Sequence, residues 1–144
     1  MKHKILIIDD DESVLFVVKK IFEECCEVLT ASGGEAGLEA IRRENPVFVF
    51  LDIKMPGMSG LEVLELLKDT VPAPLVWMLT GEEDMETAMR AMESGASGYI
   101  TKPFHIDQLR HIVMSAIAAR ETKRHGGTPP DDKPWHLAQK KTDK

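Results

Sequence analysis

Residues 46–60 read PVFVFLDIKMPGMSG and begin with an apolar run that ends on a carboxylate, Asp52. Residues 46–51 are rich in aromatic and β-branched side chains and do not alternate with polar ones. That pattern is typical of a strand buried on both faces. Asp52 follows directly, and a glycine-containing turn comes next. A strand covered on both sides favours a parallel sheet packed between layers of helices.

The rest of the chain repeats this pattern. Strands are predicted at residues 4–8 and 75–79, and more weakly at 27–31 and 98–101. Apolar residues at helical spacing lie between them and predict helices, including a buried face made by Met85, Ala88, Met89 and Met92. This alternation predicts an α/β fold, a doubly wound parallel sheet with five strands and five helices.

Helix starts are also marked in the sequence. Ser32, Ser59 and Thr80 are each followed three residues later by a glutamate, which is the spacing of a capping box. Asp11 and Glu12 follow the first predicted strand, where they are expected to cap and charge the first helix.

Composition narrows the class of protein. The chain has 144 residues, of which 43% are hydrophobic and 29% charged, as in ordinary globular domains. Its net charge of −6 disfavours nucleic acid or a membrane as the main partner. No apolar run approaches the ~18 residues that span a bilayer. The only cysteines, Cys25 and Cys26, are adjacent and are interpreted as packing or helix-end residues, so a disulfide framework is not expected and a cytoplasmic location fits.

Charge divides the chain into two regions. Residues 122–144 hold six basic and three acidic residues, which gives +3 and leaves −9 on residues 1–121. The same stretch contains Gly126-Gly127 and Pro129-Pro130 and lacks apolar periodicity. We therefore predict one domain over residues 1–121, followed by a flexible linker or C-terminal tail over residues 122–144.

Polar residues follow the predicted core strands: Asp9 and Asp10, Asp52, Thr80, and Lys102. Ligands of open α/β sheets bind beyond the carboxyl ends of the strands, so these groups are expected to converge. Crowded carboxylates repel one another unless a hard cation such as Mg²⁺ neutralises them. One carboxylate can then attack a phosphoryl group, while an ammonium and a hydroxyl stabilise its oxygens. The pattern points to phosphoryl transfer.

The sequence resembles the receiver domain of two-component response regulators over residues 3–120. The matching segments are ILIIDDDE (5–12), FLDIKMPGMSG (50–60), LTG (79–81) and GYITKPF (98–104). The resemblance implies a flavodoxin-like fold with strand order 2-1-3-4-5. It also implies a phosphorylation-activated signalling switch rather than a metabolic enzyme, phosphorylated by a sensor histidine kinase or a phosphotransfer protein.

The resemblance assigns a role to each position of the site. Asp52 is implied as the phosphoacceptor. Mg²⁺ would be held by Asp9, Asp10, Asp52 and the backbone carbonyl of Lys54. Lys102 would pair with Asp52 or its phosphoryl group, and Thr80 would bind a phosphoryl oxygen.

Other positions are assigned to switching and to phosphoryl lifetime. Tyr99 would move from exposed to buried and remodel the surface of helix 4, strand 5 and helix 5, which is also a possible homodimer interface. Lys54 and Glu82 would flank the path of the hydrolytic water and tune self-dephosphorylation. The Lys102–Pro103 peptide is expected to be cis.

Three other interpretations stay open at this point. A phosphohydrolase with an aspartate nucleophile usually has a second acid two residues later, where Lys54 stands. A flavodoxin-like nucleotide binder would need a phosphate loop after the first strand, where the acidic residues 9–12 would repel an anion. A phosphorylation-independent docking module is the third. Residues 122–144 are too few for an effector domain, so the chain is expected to be a stand-alone receiver or a piece of a longer regulator.

Overall fold

Strands and helices alternate along the residues that the computed structural model describes, which are 2–124, with the side chains of residues 82 and 121–124 left out. The strands are β1 (His3–Ile8), β2 (Cys26–Ala31), β3 (Phe48–Asp52), β4 (Leu75–Thr80) and β5 (Gly98–Thr101). The helices are α1 (Glu12–Phe22), α2 (Gly34–Glu44), α3 (Gly60–Leu66), α4 (Met85–Glu93) and α5 (Ile106–Arg124), and one 3₁₀ turn covers Glu82–Asp84.

All neighbouring strands are parallel, and their order is β2-β1-β3-β4-β5. The predicted fold and strand order are therefore confirmed. β3 lies at the centre, and each of its five residues is buried. Asp52 is in register with Leu79, and Thr80 with Thr101, so the strand ends are aligned at one edge of the sheet.

The sheet separates two apolar cores because consecutive side chains of a strand point to opposite faces. Leu6 and Ile8 of β1 pack with buried residues of α2, α3 and α4. Ile5 and Ile7 pack on the other face with buried residues of α1 and α5. Apolar runs without alternation are what this two-sided burial requires.

The capping predictions had different outcomes. The Ser59 box is confirmed, since its hydroxyl accepts from the Glu62 N–H while the Glu62 carboxylate accepts from the Ser59 N–H. The other two are wrong. Gly33 rather than Ser32 is the N-cap of α2, and Thr80 is the last residue of β4, where its carbonyl accepts from the Lys102 N–H. Backbone pairing with the neighbouring strand keeps Thr80 extended, so it cannot start a helix.

The prediction of a buried face on α4 made by Met85, Ala88, Met89 and Met92 is wrong for Met89. This side chain is 46% exposed, whereas the small Ala88 and Ala91 are fully buried. Met92 is partly buried and packs against the same core. The buried stripe is therefore centred on the two alanines, which allow α4 to lie close to the sheet.

Within the described residues, the C-terminal helix α5 extends to Arg124, three residues beyond the predicted domain boundary at residue 121. Residues 125–144, the greater part of the predicted linker or tail, lie outside the described residues. None of the described helices combines the length and the apolar character needed to cross a bilayer.

Candidate functional site

Three carboxylates meet at the carboxyl edge of the sheet. Asp9 directly follows β1, Asp10 comes next, and Asp52 ends β3. Each offers an oxygen that lies within 4.8 Å of the other two. Asp9 is completely buried and Asp52 is only 6% exposed, while Asp10 is open to solvent. The structure thus brings together the acids that the sequence predicted.

Local hydrogen bonds hold the acidic turn in place. The Asp9 N–H donates to the Ala31 carbonyl at 3.1 Å, which continues the β1–β2 pairing by one residue. The Asp9 carboxylate accepts from the Asp11 N–H at 2.9 Å, and the Asp11 carboxylate accepts from the Ser13 N–H at 2.9 Å. Asp11 is thus the N-cap of α1, as predicted, and its side chain is committed to the helix.

Lys102 supplies the positive charge of the cluster. Its Nζ donates to Asp9 Oδ2 at 2.9 Å and to Asp52 Oδ1 at 3.4 Å. Burial alone would lower the pKa of Lys102, but the hydrogen bond to Asp9 and the charges of both aspartates outweigh it and raise that pKa above 10.5. The lysine therefore carries its charge at any physiological pH.

The carboxyl of Asp52 is strongly perturbed. Burial is the largest cause and the charge of Asp9 the next, and together they raise its pKa from 3.8 to about 7 despite the opposing effect of Lys102. In the absence of a metal, a substantial fraction of the molecules therefore has a protonated Asp52 carboxyl near neutral pH. Since only the ionised form is a good nucleophile, a further positive charge at the cluster would increase reactivity.

The donor set fits a hard divalent cation. The three carboxylates offer oxygen atoms only, which Mg²⁺ prefers, and exposed Asp10 leaves room for the waters that Mg²⁺ retains. The single lysine leaves the three acids under-neutralised, which favours binding of a cation.

The remaining predicted residues lie on β4, on β5 and in the segments that follow β3, β4 and β5. Thr80 is 1% exposed, and its hydroxyl donates to the Gly81 carbonyl at 3.0 Å. Tyr99 lies on β5 and is not exposed as expected but already partly buried, because it packs against the core shared with α4. The Lys102–Pro103 peptide is cis. Lys54 is exposed just beyond Asp52, whereas the side chain of Glu82 lies outside the described part of the structure.

Two contacts of the site were missed by sequence reasoning. Lys54 Nζ lies 3.5 Å from Asp84 Oδ1, a partner two residues beyond Glu82. The start of α3 at Gly60 is so close to β3 that a Cβ there would overlap the carbonyl of Asp52. A glycine at residue 60 was a visible signal for close approach. Nothing in the sequence distinguished Asp84 from the neighbouring acids.

Comparison with known proteins agrees with this geometry. Residues 5–114 match the family described as the response regulator receiver domain. The chain belongs to this family. The match extends over β1 to the middle of α5, and it includes all of the residues that form the acidic site.

Two curated proteins illustrate how this receiver domain occurs in relatives. Sporulation initiation phosphotransferase F of Bacillus subtilis is 32% identical over 118 residues, which are 81% of this chain and 95% of that protein. The nitrogen assimilation regulatory protein NtrX of Azorhizobium caulinodans is 35% identical over 127 residues, which are 86% of this chain. The chain spans only 28% of the length of that regulator.

Solved structures of receiver domains have the same architecture. The receiver domain of NtrX from Brucella abortus is 35% identical, with a TM-score of 0.74 over 79% of this chain and 98% of that one. A response regulator receiver domain protein from Clostridium thermocellum is also 35% identical, with a TM-score of 0.77 over 83% of this chain and 97% of that one.

Proposed function

We propose that this receiver domain is switched by transfer of a phosphoryl group from a phosphohistidine to Asp52. The donor would be a sensor histidine kinase or a phosphotransfer protein. The observation that carries the proposal is the buried Asp52 carboxylate, which lies within 4.8 Å of Asp9 and Asp10 and accepts a hydrogen bond from Lys102. This juxtaposition has little use in a purely structural domain, because buried like charges destabilise the fold.

The proposed transfer would use the residues of the acidic site as follows. An Asp52 oxygen attacks phosphorus, the bond between phosphorus and the histidine nitrogen breaks, and the electron pair returns to the imidazole. Lys102 lies 3.4 Å from Asp52 Oδ1, where its ammonium would stabilise the phosphoryl oxygens. The domain would thereby catalyse its own phosphorylation without being an enzyme that turns over metabolites.

Asp9, Asp10, Asp52 and the backbone carbonyl of Lys54 would hold Mg²⁺. When bound, the cation neutralises the crowded carboxylates and the charge of the incoming phosphoryl group. The support for this site is its donor set of three oxygen ligands and the raised pKa of Asp52, to about 7.

Switching would begin at Thr80. Its hydroxyl, which donates to the Gly81 carbonyl, would rotate and donate to a phosphoryl oxygen instead. Tyr99 would then move further into the core. These movements would change the surface formed by α4, β5 and α5, through which the domain would control a partner or pair with a second copy. The switch is a two-state equilibrium biased by the added charge.

Phosphorylation with acetyl phosphate tests the proposal directly. We expect a Mg²⁺-dependent shifted band on a phosphate-affinity gel for the wild type and for Asp69→Asn, a matched change at an exposed aspartate. We expect no shifted band for Asp52→Asn, since the nucleophile is gone. A shift that persists in Asp52→Asn would identify another acceptor, and no shift in any sample would favour the docking module.

We also propose that Lys54 tunes the lifetime of the phosphoryl group. Its exposed ammonium lies 3.5 Å from partly buried Asp84, and from there it would flank the route of water to Asp52. Lys54→Asn removes this shield, so we expect decay to accelerate several-fold, and Asp84→Asn, which frees Lys54, to act in the same direction. Decay can be timed on the same gels after acetyl phosphate is removed. Unchanged rates in both variants would contradict a role for the pair.

A further inference from the structure

Two thiols face each other at the end of the sheet opposite the acidic site. Cys25 lies in the turn after α1 and is exposed, whereas Cys26 is the first residue of β2 and is 2% exposed. Both are free cysteines, and their Sγ atoms are 3.6 Å apart. Nothing in the phosphoryl-transfer proposal uses them.

The turn between α1 and β2 brings the side chains of Cys25 and Cys26 together. Consecutive residues of a strand point to opposite faces of the sheet, which would separate the two sulfurs. Cys25 is not in the strand, because its N–H donates to the Phe22 carbonyl at 3.1 Å and its thiol contacts the same oxygen at 3.6 Å. Cys26 is fixed by the core that contains Phe22. One thiol is thus accessible and the other is preplaced behind it.

We propose that Cys25 and Cys26 form a two-thiol chelate for trivalent arsenicals, a class of thiophilic metalloid compound. With bonds to sulfur of ~2.3 Å, the length found for zinc thiolates, a linear two-coordinate ion would need sulfurs ~4.6 Å apart, whereas a pyramidal centre needs them closer together. The observed 3.6 Å matches the pyramidal centre. A pyramidal arsenic also needs only two protein ligands, because the third group bound to arsenic is the organic substituent that the arsenical already carries.

Four-coordinate zinc fits this place less well. A structural zinc site takes four protein ligands. Among the described residues, the one group of three or more side chains with mutually close metal-ligating atoms is that of Asp9, Asp10 and Asp52, at the other end of the sheet. Among the described residues, the cysteine pair therefore offers two sulfur ligands and no third or fourth ligand for zinc.

The binding step balances without an oxidant. An arsenical with an As=O group reacts with both thiols, so that two As–S bonds form and the As–O bonds break. The oxygen leaves as water with the two thiol protons. Exposed Cys25 reacts first, and Cys26 closes the ring in an intramolecular step that is favoured by proximity. Burial raises the pKa of Cys26 to about 12, so this residue enters as a thiol and supplies its proton to the departing water.

The pair is remote from the phosphorylation site. Cys26 is in register with His3, the first residue of β1, while Asp9 follows the last. Six strand residues at ~3.3 Å each separate the two ends by about 20 Å. Phosphorylation by acetyl phosphate can therefore serve as an independent check that each cysteine variant is folded.

Intact-mass measurement of the full chain with equimolar phenylarsine oxide tests the inference. We expect the wild type to carry one phenylarsenic group in place of two hydrogens, to retain it in a large excess of glutathione, and to lose it to dithiothreitol. Since the chain has only two cysteines, Cys25→Ser and Cys26→Ser should each lose the adduct to glutathione.

Cys25→Ser is the decisive variant, because its side chain is exposed and its removal leaves the core intact. Its phosphorylation should equal that of the wild type. Retention of the adduct by Cys25→Ser in glutathione would overturn the proposal, as would loss of the wild-type adduct to glutathione at the rate of the single variants.

Discussion

Gly60→Ala is expected to lower the free energy of unfolding by about 3 kcal/mol and to impair phosphorylation of Asp52 as well. A Cβ at residue 60 would overlap the carbonyl oxygen of Asp52 and lie 2.9 Å from the Ile53 Cα. Those atoms belong to backbone and cannot rotate away. The Gly60 N–H also donates to the Ile53 carbonyl at 2.9 Å, which ties the first residue of α3 to the end of β3.

The strain therefore acts on the backbone of Asp52, the proposed phosphoacceptor. To relieve it, α3 must move outward or Asp52 must leave its position beside Asp9. Urea unfolding measures the loss in the free energy of unfolding. The phosphate-affinity gel measures the loss of phosphorylation, at a temperature where the variant is folded.

Gly33→Ala is the matched control. A Cβ at this position meets no atom within 4 Å, and the backbone there is extended, so any residue can adopt it. We expect a loss of about 0.5 kcal/mol from the poorer helix cap and unchanged phosphorylation. Equal losses of unfolding free energy in the two variants would show that the close approach at Gly60 does not cause the destabilisation.

Lys102→Met is expected to destabilise the metal-free domain by about 2 kcal/mol at pH 8. The change keeps the length of the side chain but removes the ammonium that contacts Asp9 and Asp52. Both carboxylates are then buried without a compensating charge. Phosphorylation should also fall strongly, since the ammonium would no longer stabilise the phosphoryl oxygens.

The loss should depend on pH in a defined direction. The pKa of Asp52 is about 7 in the folded protein against an ordinary value of 3.8, so the folded state holds the extra proton between these values. The contribution of this carboxyl to stability therefore falls as pH rises from about 4 to 7. At pH 6, Asp52 is mostly neutral already, and removal of Lys102 should cost less than at pH 8.

Urea titrations in EDTA at both pH values measure this difference. Lys68→Met is the control, because Lys68 is an exposed lysine whose pair with Glu65 is on the surface. We expect a change within about 0.5 kcal/mol, independent of pH. The same small loss for Lys102→Met at pH 8 would contradict the role given to Lys102.

Much of the fold was predictable because burial on both faces leaves a simple signature. The run at residues 46–51 lacks alternation, and it differs from β3 only at its ends, since β3 begins two residues later, at Phe48, and includes Asp52. The acidic cluster was predictable for a related reason. Parallel strands end at one edge of the sheet, so residues that follow them are brought together whatever their separation in the chain.

The predictions that were wrong, and the contact that was missed, depend on residues that are close in space but not in sequence. Thr80 and Ser32 have capping-box spacing, but tertiary hydrogen bonding keeps Thr80 in β4, and Gly33 takes the cap of α2. Met89 fits an apolar stripe by spacing, yet close packing selects the alanines beside it. The contact between Lys54 and Asp84 joins the loop after β3 to the 3₁₀ turn before α4, and no local pattern encodes their approach.

The hydrogen bond from Lys102 to Asp9 joins residues 93 positions apart. During synthesis on the ribosome, Asp9, Asp10 and Asp52 all emerge well before the lysine that balances them. A nascent chain that stops short of residue 102 holds three acids without their cation, and it also lacks α5, which covers one face of the sheet. If Asp52 is phosphorylated as proposed, this competence would be acquired late, only after almost the whole domain has been translated, and formation of the acyl phosphate would report that folding is complete.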